Sequence, residues 1–266
     1  MDYSLDFLIN HYILTFVHSM EAAYDSSHEE INDVIVFYYG DEMSNSPYEV
    51  IPYQSIIFAW NKPPEEIAEI ARAYPFKGDG SYAIQAFHKE MDPQKFKLRY
   101  QPLGFEYFLP SILQMVDLPT DFETPDIPVQ QVNHPEQVEL INQTFADCKP
   151  FPQKLVGAEA CTSFYVEIDG QAAGWSYLVQ QQPHLAYLAG MFTSPKFRQM
   201  GVATTILSTM HQFARQKGIQ KIQLVPSFMA WNFYTKRSYQ TIAHFSTFLP
   251  MEKMAVSTHL ASKSKR

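Results

Sequence analysis

The sequence predicts an α/β (α+β) protein built from two related halves, and three observations carry that reading. Short apolar runs of strand length alternate with segments whose apolar residues recur at helical spacing. The run Leu185 to Phe192 reads as a buried strand. It passes through a loop into Ile206, Leu207, Met210, Phe213 and Ala214, which lie along one face of a helix. Finally, the pattern Tyr100-x-x-x-Gly104-Phe105 returns as Tyr234-x-x-x-Ser238-Tyr239. An apolar strand follows each copy, and each closes its half of the chain, as a duplicated unit would.

The elements follow in order. Leu5, Leu8, Ile9, Tyr12, Ile13, Phe16, Val17 and Met20 mark an amphipathic first helix. Val34 to Tyr39 reads as a buried strand stopped by Gly40-Asp41, and Gln54 to Trp60 as another. Pro63-Pro64 opens a helix through Ile67, Ile70 and Ala71, with acids in its first turn. Ser81 to Phe87 is a strand after a Gly-Asp-Gly turn. Leu118 to Pro128 holds Pro119, Pro125 and Pro128 among acids, without periodicity, as a linker does.

Beyond the linker, Glu136 to Phe145 suits a helix. Cys161 to Ile168 and Ala172 to Gln180 suit a strand pair turning at Asp169-Gly170. Gly218 suits the end of the helix that begins after the loop. Ile219 to Val225 is a strand, Ala230 to Lys236 a short helix, and Ile242 to Leu249 a last strand. The polar, basic tail Ser257 to Arg266 reads as disordered. The expected domains are therefore 1–122, a linker at 123–128, a second domain at 129–250 and a tail at 251–266.

Composition bounds the function. At 266 residues, 46% of them hydrophobic, the chain can bury a substantial core. A net charge of −8 argues against general affinity for nucleic acid or for anionic membranes. No apolar run approaches the length needed to span a bilayer, and the acidic residues Asp2 and Asp6 do not suit a signal peptide. Two cysteines, Cys148 and Cys161, stand outside any metal pattern and read as free thiols of a cytoplasmic protein.

The stretch Thr193-Ser194-Pro195-Lys196-Phe197-Arg198-Gln199-Met200-Gly201-Val202-Ala203-Thr204 carries the functional signal. A loop that opens a helix is an anion site, because the first helical N–H groups lack partners and the aligned dipoles make that end positive. Gly201 lets a pyrophosphate approach the backbone, Ala203 keeps the path open, and Arg198 adds a forked cation. The spacing is neither a Walker loop nor a Gly-x-Gly-x-x-Gly fingerprint.

The stretch resembles the motif of the GCN5-related N-acetyltransferase (GNAT) superfamily, Arg/Gln-x-x-Gly-x-Gly/Ala after a strand ending in Thr-x-Pro-x-x-Arg. It stands here as Thr193-x-Pro195-x-x-Arg198-x-x-Gly201-x-Ala203. A second motif of the family is matched by Ser227, Ala230, Tyr234 and Ser238-Tyr239, with Ser238 in place of the usual Gly. The resemblance implies the two-domain bacterial type with a degenerate N-terminal GNAT-like half: tandem folds, each a mixed, mostly antiparallel sheet flanked by helices. The first half has no counterpart of Arg198 to Ala203, so it is expected to bind no CoA and to wall the acceptor side.

What the resemblance implies about chemistry is an acetyl-CoA-dependent N-acetyltransferase without metal, acting on an amine of a small molecule or peptide. Arg198, Gln199, Met200, Gly201, Val202, Ala203, Thr204 and Ser227 would hold the cofactor. Met191, Phe192 and Thr193 would splay from the neighbouring strand and pair with pantetheine, one amide polarising the thioester. The amine would attack directly, and Tyr234 would protonate the departing thiolate. Candidate bases are Glu167, Glu159, Tyr187 and His184. Cys148 and Cys161 read as inert, and His211 as a residue at the solvent edge of its helix. Alternatives are a non-catalytic CoA-binding or metabolite-binding module, and a transferase of longer acyl donors. A homodimer is compatible with this reading.

Overall fold

The structure, a computed structural model, describes residues 3–40, 52–78, 80–89, 93–120, 122–145 and 149–252. Cys148, Asp41, Asp79 and all of the tail beyond Glu252 lie outside them. The chain forms two compact units. One holds residues 1–13, 25–113 and 242–266, the other residues 14–24 and 114–241.

The first unit begins in the amphipathic helix α1 (Leu5–Ala23), whose second part belongs to the other unit. A hairpin follows, β1 (Ser27–Ile31) with β2 (Val34–Tyr38), turning at Asn32 and Asp33 with φ of 49° and 60°. That geometry suits the right-handed twist of a two-residue hairpin. β1 is polar and partly exposed, which hid it from a search for apolar runs. Next come β3 (Ser55–Ala59), α2 (Pro64–Ala73), β4 (Tyr82–His88), α3 (Pro93–Tyr100) and the start of β5 (Phe105–Asp117). β2 and β3 are antiparallel, whereas β3 and β4 are parallel with α2 as their crossover. Ile57, Ile67, Ala68, Ile84, Tyr100 and Phe248 share one buried core.

The second unit contains β6 (Val129–Gln131), α4 (Pro135–Phe145), β7 (Cys161–Ile168), β8 (Gln171–Gln182), β9 (Leu185–Thr193), α5 (Val202–Gln216), β10 (Lys221–Leu224) and α6 (Trp231–Thr235). Its strand order is β6-β7-β8-β9-β10, closed by the end of β5. β8 and β9 are antiparallel; β9 and β10 are parallel with α5 between them. The two units thus share one pattern, an antiparallel pair feeding a strand–helix–strand crossover.

Their final strands are exchanged. β5 follows α3 of the first unit, yet Gln114 to Asp117 pair antiparallel with β10 of the second. β11 (Gln240–Pro250) follows α6 of the second unit, yet His244 to Phe248 pair antiparallel with β4 of the first. The units are therefore not contiguous stretches such as 1–122 and 129–250, and β11 falls in the first because its hydrogen bonds lie there. The echoed sequence pattern occupies matching places. Gly104 and Ser238 both take left-handed backbone, φ 89° and 67°, immediately before the exchanged strands. Ser238 therefore adopts the turn that the usual Gly would make.

Candidate functional site

The site begins where β9 leaves β10. β9 pairs with β10 only through Leu185, Ala186 and Tyr187, but pairs with β8 as far as Thr193. Beyond Leu188 the strand changes from fully buried to partly exposed. A bulge accompanies the change: Trp175 faces Phe192 and Tyr177 faces Ala189, so β9 carries an extra residue there. Gly190 sits in the bulge at φ 64°, and a Cβ on it would meet the Trp175 and Tyr177 rings at 2.6 and 2.7 Å. Met191, Phe192 and Thr193 thus have no sheet partner on the side of β10. The family resemblance implies the splay but not the glycine bulge. An isolated Gly within a strand pattern was the available signal.

From Thr193 the chain passes through Ser194 and a 3-10 turn, Pro195–Phe197, pinned by the buried Phe197 ring. Arg198, Gln199 and Met200 are exposed, and the Arg198 side chain makes no ion pair among the described residues. Gly201 caps α5 at φ 86° with no side-chain cap, and the first helical bond runs from the Thr205 N–H to the Gly201 carbonyl at 2.9 Å. The N–H groups of Val202, Ala203 and Thr204 accordingly precede the hydrogen-bonded ladder. No acid stands in this first turn. A Cβ on Gly201 would lie 2.2 Å from the Pro125 ring, so glycine is needed here for packing as well as for its φ.

Arg237 is a functional candidate that sequence analysis missed, because nothing in its spacing marks it. Its Nη2 donates to the Thr204 Oγ1 at 2.6 Å, and its Nη1 donates to the Phe233 carbonyl at 2.8 Å. The guanidinium lies 3.8 Å over the Phe233 ring. Its Nε is buried without a partner. A second cation therefore stands against the first turn of α5.

Tyr234, on α6, is 3% exposed and packs edge-on to Tyr239 at 5.3 Å. Burial, reinforced by the neighbouring Tyr187 phenol and opposed by Arg237, pushes its ionisation well above the usual tyrosine range. It therefore holds its proton at neutral pH. Tyr187 is the last β9 residue paired with β10, and burial pushes its phenol well above the usual tyrosine range too. Ser227 is exposed and precedes the 3-10 turn Phe228–Ala230, just after β10.

The other candidates fall elsewhere. His184 precedes β9, a strand-length of about 30 Å from Thr193 at roughly 3.3 Å per residue. It bonds the Gly218 carbonyl through Nδ1 at 3.0 Å. Exposed Glu159 and half-buried Cys161 lie at that same end, where Gln180 bonds the Ala160 carbonyl. Burial pushes the Cys161 thiol up to about 11, which disfavours a thiolate. Glu167 is partly exposed on β7, opposite Ala172. His211 differs from its expected place at the solvent edge. It is 3% exposed, with Nε2 2.9 Å from the Tyr239 hydroxyl and Nδ1 3.0 Å from Thr120. Position 211 continues the inward face of Leu207, and burial lowers its pKa to about 4. Among the described residues no group of His, Cys, Asp and Glu could hold a metal, and no helix is long and apolar enough to cross a membrane.

Known proteins resemble this chain in part of its sequence and in its fold. Residues 123–239 match the model of the acetyltransferase (GNAT) family. The second half of the chain carries a GNAT acetyltransferase domain. The tandem GNAT-like fold is equally plain. A GCN5-related N-acetyltransferase from Kribbella flavida superposes with a TM-score of 0.60 at 15% identity, covering 89% of this chain and 94% of its own. A tandem GNAT protein from the clavulanic acid biosynthesis pathway superposes with a TM-score of 0.56 at 10% identity, covering 89% and 86%. A functionally unknown conserved protein from Staphylococcus epidermidis reaches 0.51 at 12% identity, covering 77% and 90%. No curated protein matches the sequence. Residues 123–239 are thus similar to GNAT acetyltransferases, and the chain shares the tandem GNAT-like fold, with a mixed sheet flanked by helices in each unit.

Proposed function

We propose that the second unit binds acetyl-CoA and transfers its acetyl group to an amine of a small molecule or peptide. The observation that carries this reading is the pairing of two features at one place. β9 parts from β10 at Tyr187, and the next helix opens on uncapped amides with no acid nearby. A diphosphate suits the amides of Val202 to Thr204, because the helix dipole and the orphan N–H groups act together there. Arg198 from the loop and Arg237 from α6 add forked cations. Gln199, Met200 and Gly201 complete the loop wall, and Ser227 borders it after β10.

The unpaired edge at Met191, Phe192 and Thr193 suits the amide-rich pantetheine arm, as an added strand would. One N–H of that edge polarises the thioester carbonyl as charge develops on its oxygen. The amine attacks the carbonyl carbon, and the C–S bond breaks as the C–N bond forms. The thiolate takes a proton from the Tyr234 phenol, which its burial keeps protonated. The amine proton leaves to water, because burial keeps the nearby Tyr187 phenol protonated as well.

The test is release of free CoA thiol when the full-length protein meets acetyl-CoA and a panel of primary amines. Amine-dependent thiol release supports the reading. Tight acetyl-CoA binding without thiol release for any amine overturns the catalytic part. Preference for longer acyl-CoAs in the same assay overturns the donor.

A further inference from the structure

We propose that the first unit binds a small aromatic carboxylate in its own cleft, at the ends of β3 and β4. This cleft has a cavity of about 400 Å³ and occupies the place in the first unit that the β9–α5–β10 site occupies in the second. A volume of that order falls within the range of small-molecule sites. Its walls are aromatic. Trp60 and Phe96 line it, and the His88 ring stacks on Phe96 with centroids 4.2 Å apart. Its fully charged groups are cations, namely Lys62, Lys89 and Arg99, with Asn61 as a further polar group.

The charge pattern selects an anion. Lys62 already pairs with Glu66 at 2.6 Å. Exposed Lys89 and Arg99 have no ion-pair partner among the described residues, and Arg99 lies 5.3 Å over Phe96. The Trp60 Nε1 is buried with no acceptor. Buried donors are rarely left unmet, so a ligand oxygen within reach of the indole would satisfy it. A flat ring between Trp60 and the Phe96–His88 stack would place a carboxylate towards Arg99 and Lys89.

The same loop excludes a CoA diphosphate. Pro63 and Pro64 stand where α2 begins, so the backbone offers no N–H at these positions. Glu65 and Glu66 make the first turn acidic. Anion recognition in this half therefore falls to side chains, which suits a single carboxylate rather than a diphosphate.

The experiment is calorimetric titration of the full-length protein with benzoate, phenylacetate and indole-3-acetate, with benzyl alcohol as the neutral comparison. Saturable binding of at least one carboxylate, at least about tenfold tighter than benzyl alcohol, is expected. Arg99→Gln, an exposed change, should weaken it about tenfold while leaving acetyl-CoA affinity untouched. Trp60→Phe keeps a ring but removes the donor, and should weaken binding severalfold. No saturable heat with any of the three up to millimolar concentration, equal binding of benzyl alcohol, or unchanged affinity in both Arg99→Gln and Lys89→Gln would overturn the proposal. None of these results bears on acetyl transfer by the second unit.

Discussion

The two units share one strand–helix–strand crossover, yet their helices begin in opposite chemical states. α5 opens on Gly201, with Val202, Ala203 and Thr204 offering N–H groups and with no acid in the turn. α2 opens on Pro63-Pro64, which lack N–H groups, and continues into Glu65 and Glu66. Both starts are good for a helix. Proline at the first position and acids in the first turn are favourable there, because they answer the orphan donors and the dipole internally. The second unit leaves those donors without a side-chain cap and that dipole without an acid. On the proposed reading, the comparison teaches that an anion site in this fold would be a helix start left unfinished, and that finishing it would stabilise the helix while removing the site.

The strongest way to break the comparison is to treat the echoed tyrosines alike. Tyr234→Phe should lower turnover about a hundredfold or more with little change in acetyl-CoA affinity. Tyr100→Phe, at the matching place in the first unit, should leave turnover unchanged. Equal losses in both would show that the rings act as packing. Because burial raises the Tyr234 ionisation above its ordinary 10.0, kcat should show no alkaline limb assignable to it at or below that pH. Such a limb, vanishing in Tyr234→Phe, would contradict its environment.

A second difference concerns acid. α5 carries the buried His211, whereas α2 has no histidine. The folded His211 titrates at about 4, below its unfolded 6.5, so the unfolded chain binds the proton first. Stability should therefore fall as pH drops from 6.5 towards 4, by up to about 3 kcal/mol for this one group. Urea midpoints measured across that window should flatten in His211→Gln. An unchanged slope would place the acid sensitivity elsewhere.

The smallest effect tests the duplicated turn. Ser238→Gly should stabilise the protein by up to about 1 kcal/mol, and Gly104→Ser should destabilise it by a similar amount. Thermal unfolding reads both, and changes of the same sign would separate the two turns.

Much of this fold was legible in the sequence, for physical reasons that also mark the limit. α1, α2, α4 and α5 bury one face, so their apolar spacing shows. β2, β3 and β8 are largely buried runs, and β9 is buried through Leu188, so these strands show. β1 was hidden by its polar residues, and α3 by a largely exposed surface rich in Lys and Arg. The exchange of β5 and β11 was hidden because partner choice is a long-range property that a strand's own residues do not encode. At the proposed site, the strand–loop–helix layout around 193–204 and the short helix α6 that carries Tyr234 were legible in the sequence. Arg237 was not, because its role comes from the folding of α6 against Thr204. The burial of His211 could have been read from its place four residues after Leu207.

The most direct test of the central claim is titration of the full-length protein with CoA, alongside Ala203→Glu. That substitution writes the acidic first turn of α2 into α5, where it favours the helix but repels a diphosphate. The account predicts one CoA per chain in the parent protein. In the variant it predicts an unchanged or raised melting temperature and affinity at least about tenfold weaker. Two CoA molecules per chain, or undiminished affinity in a folded Ala203→Glu protein, would contradict it.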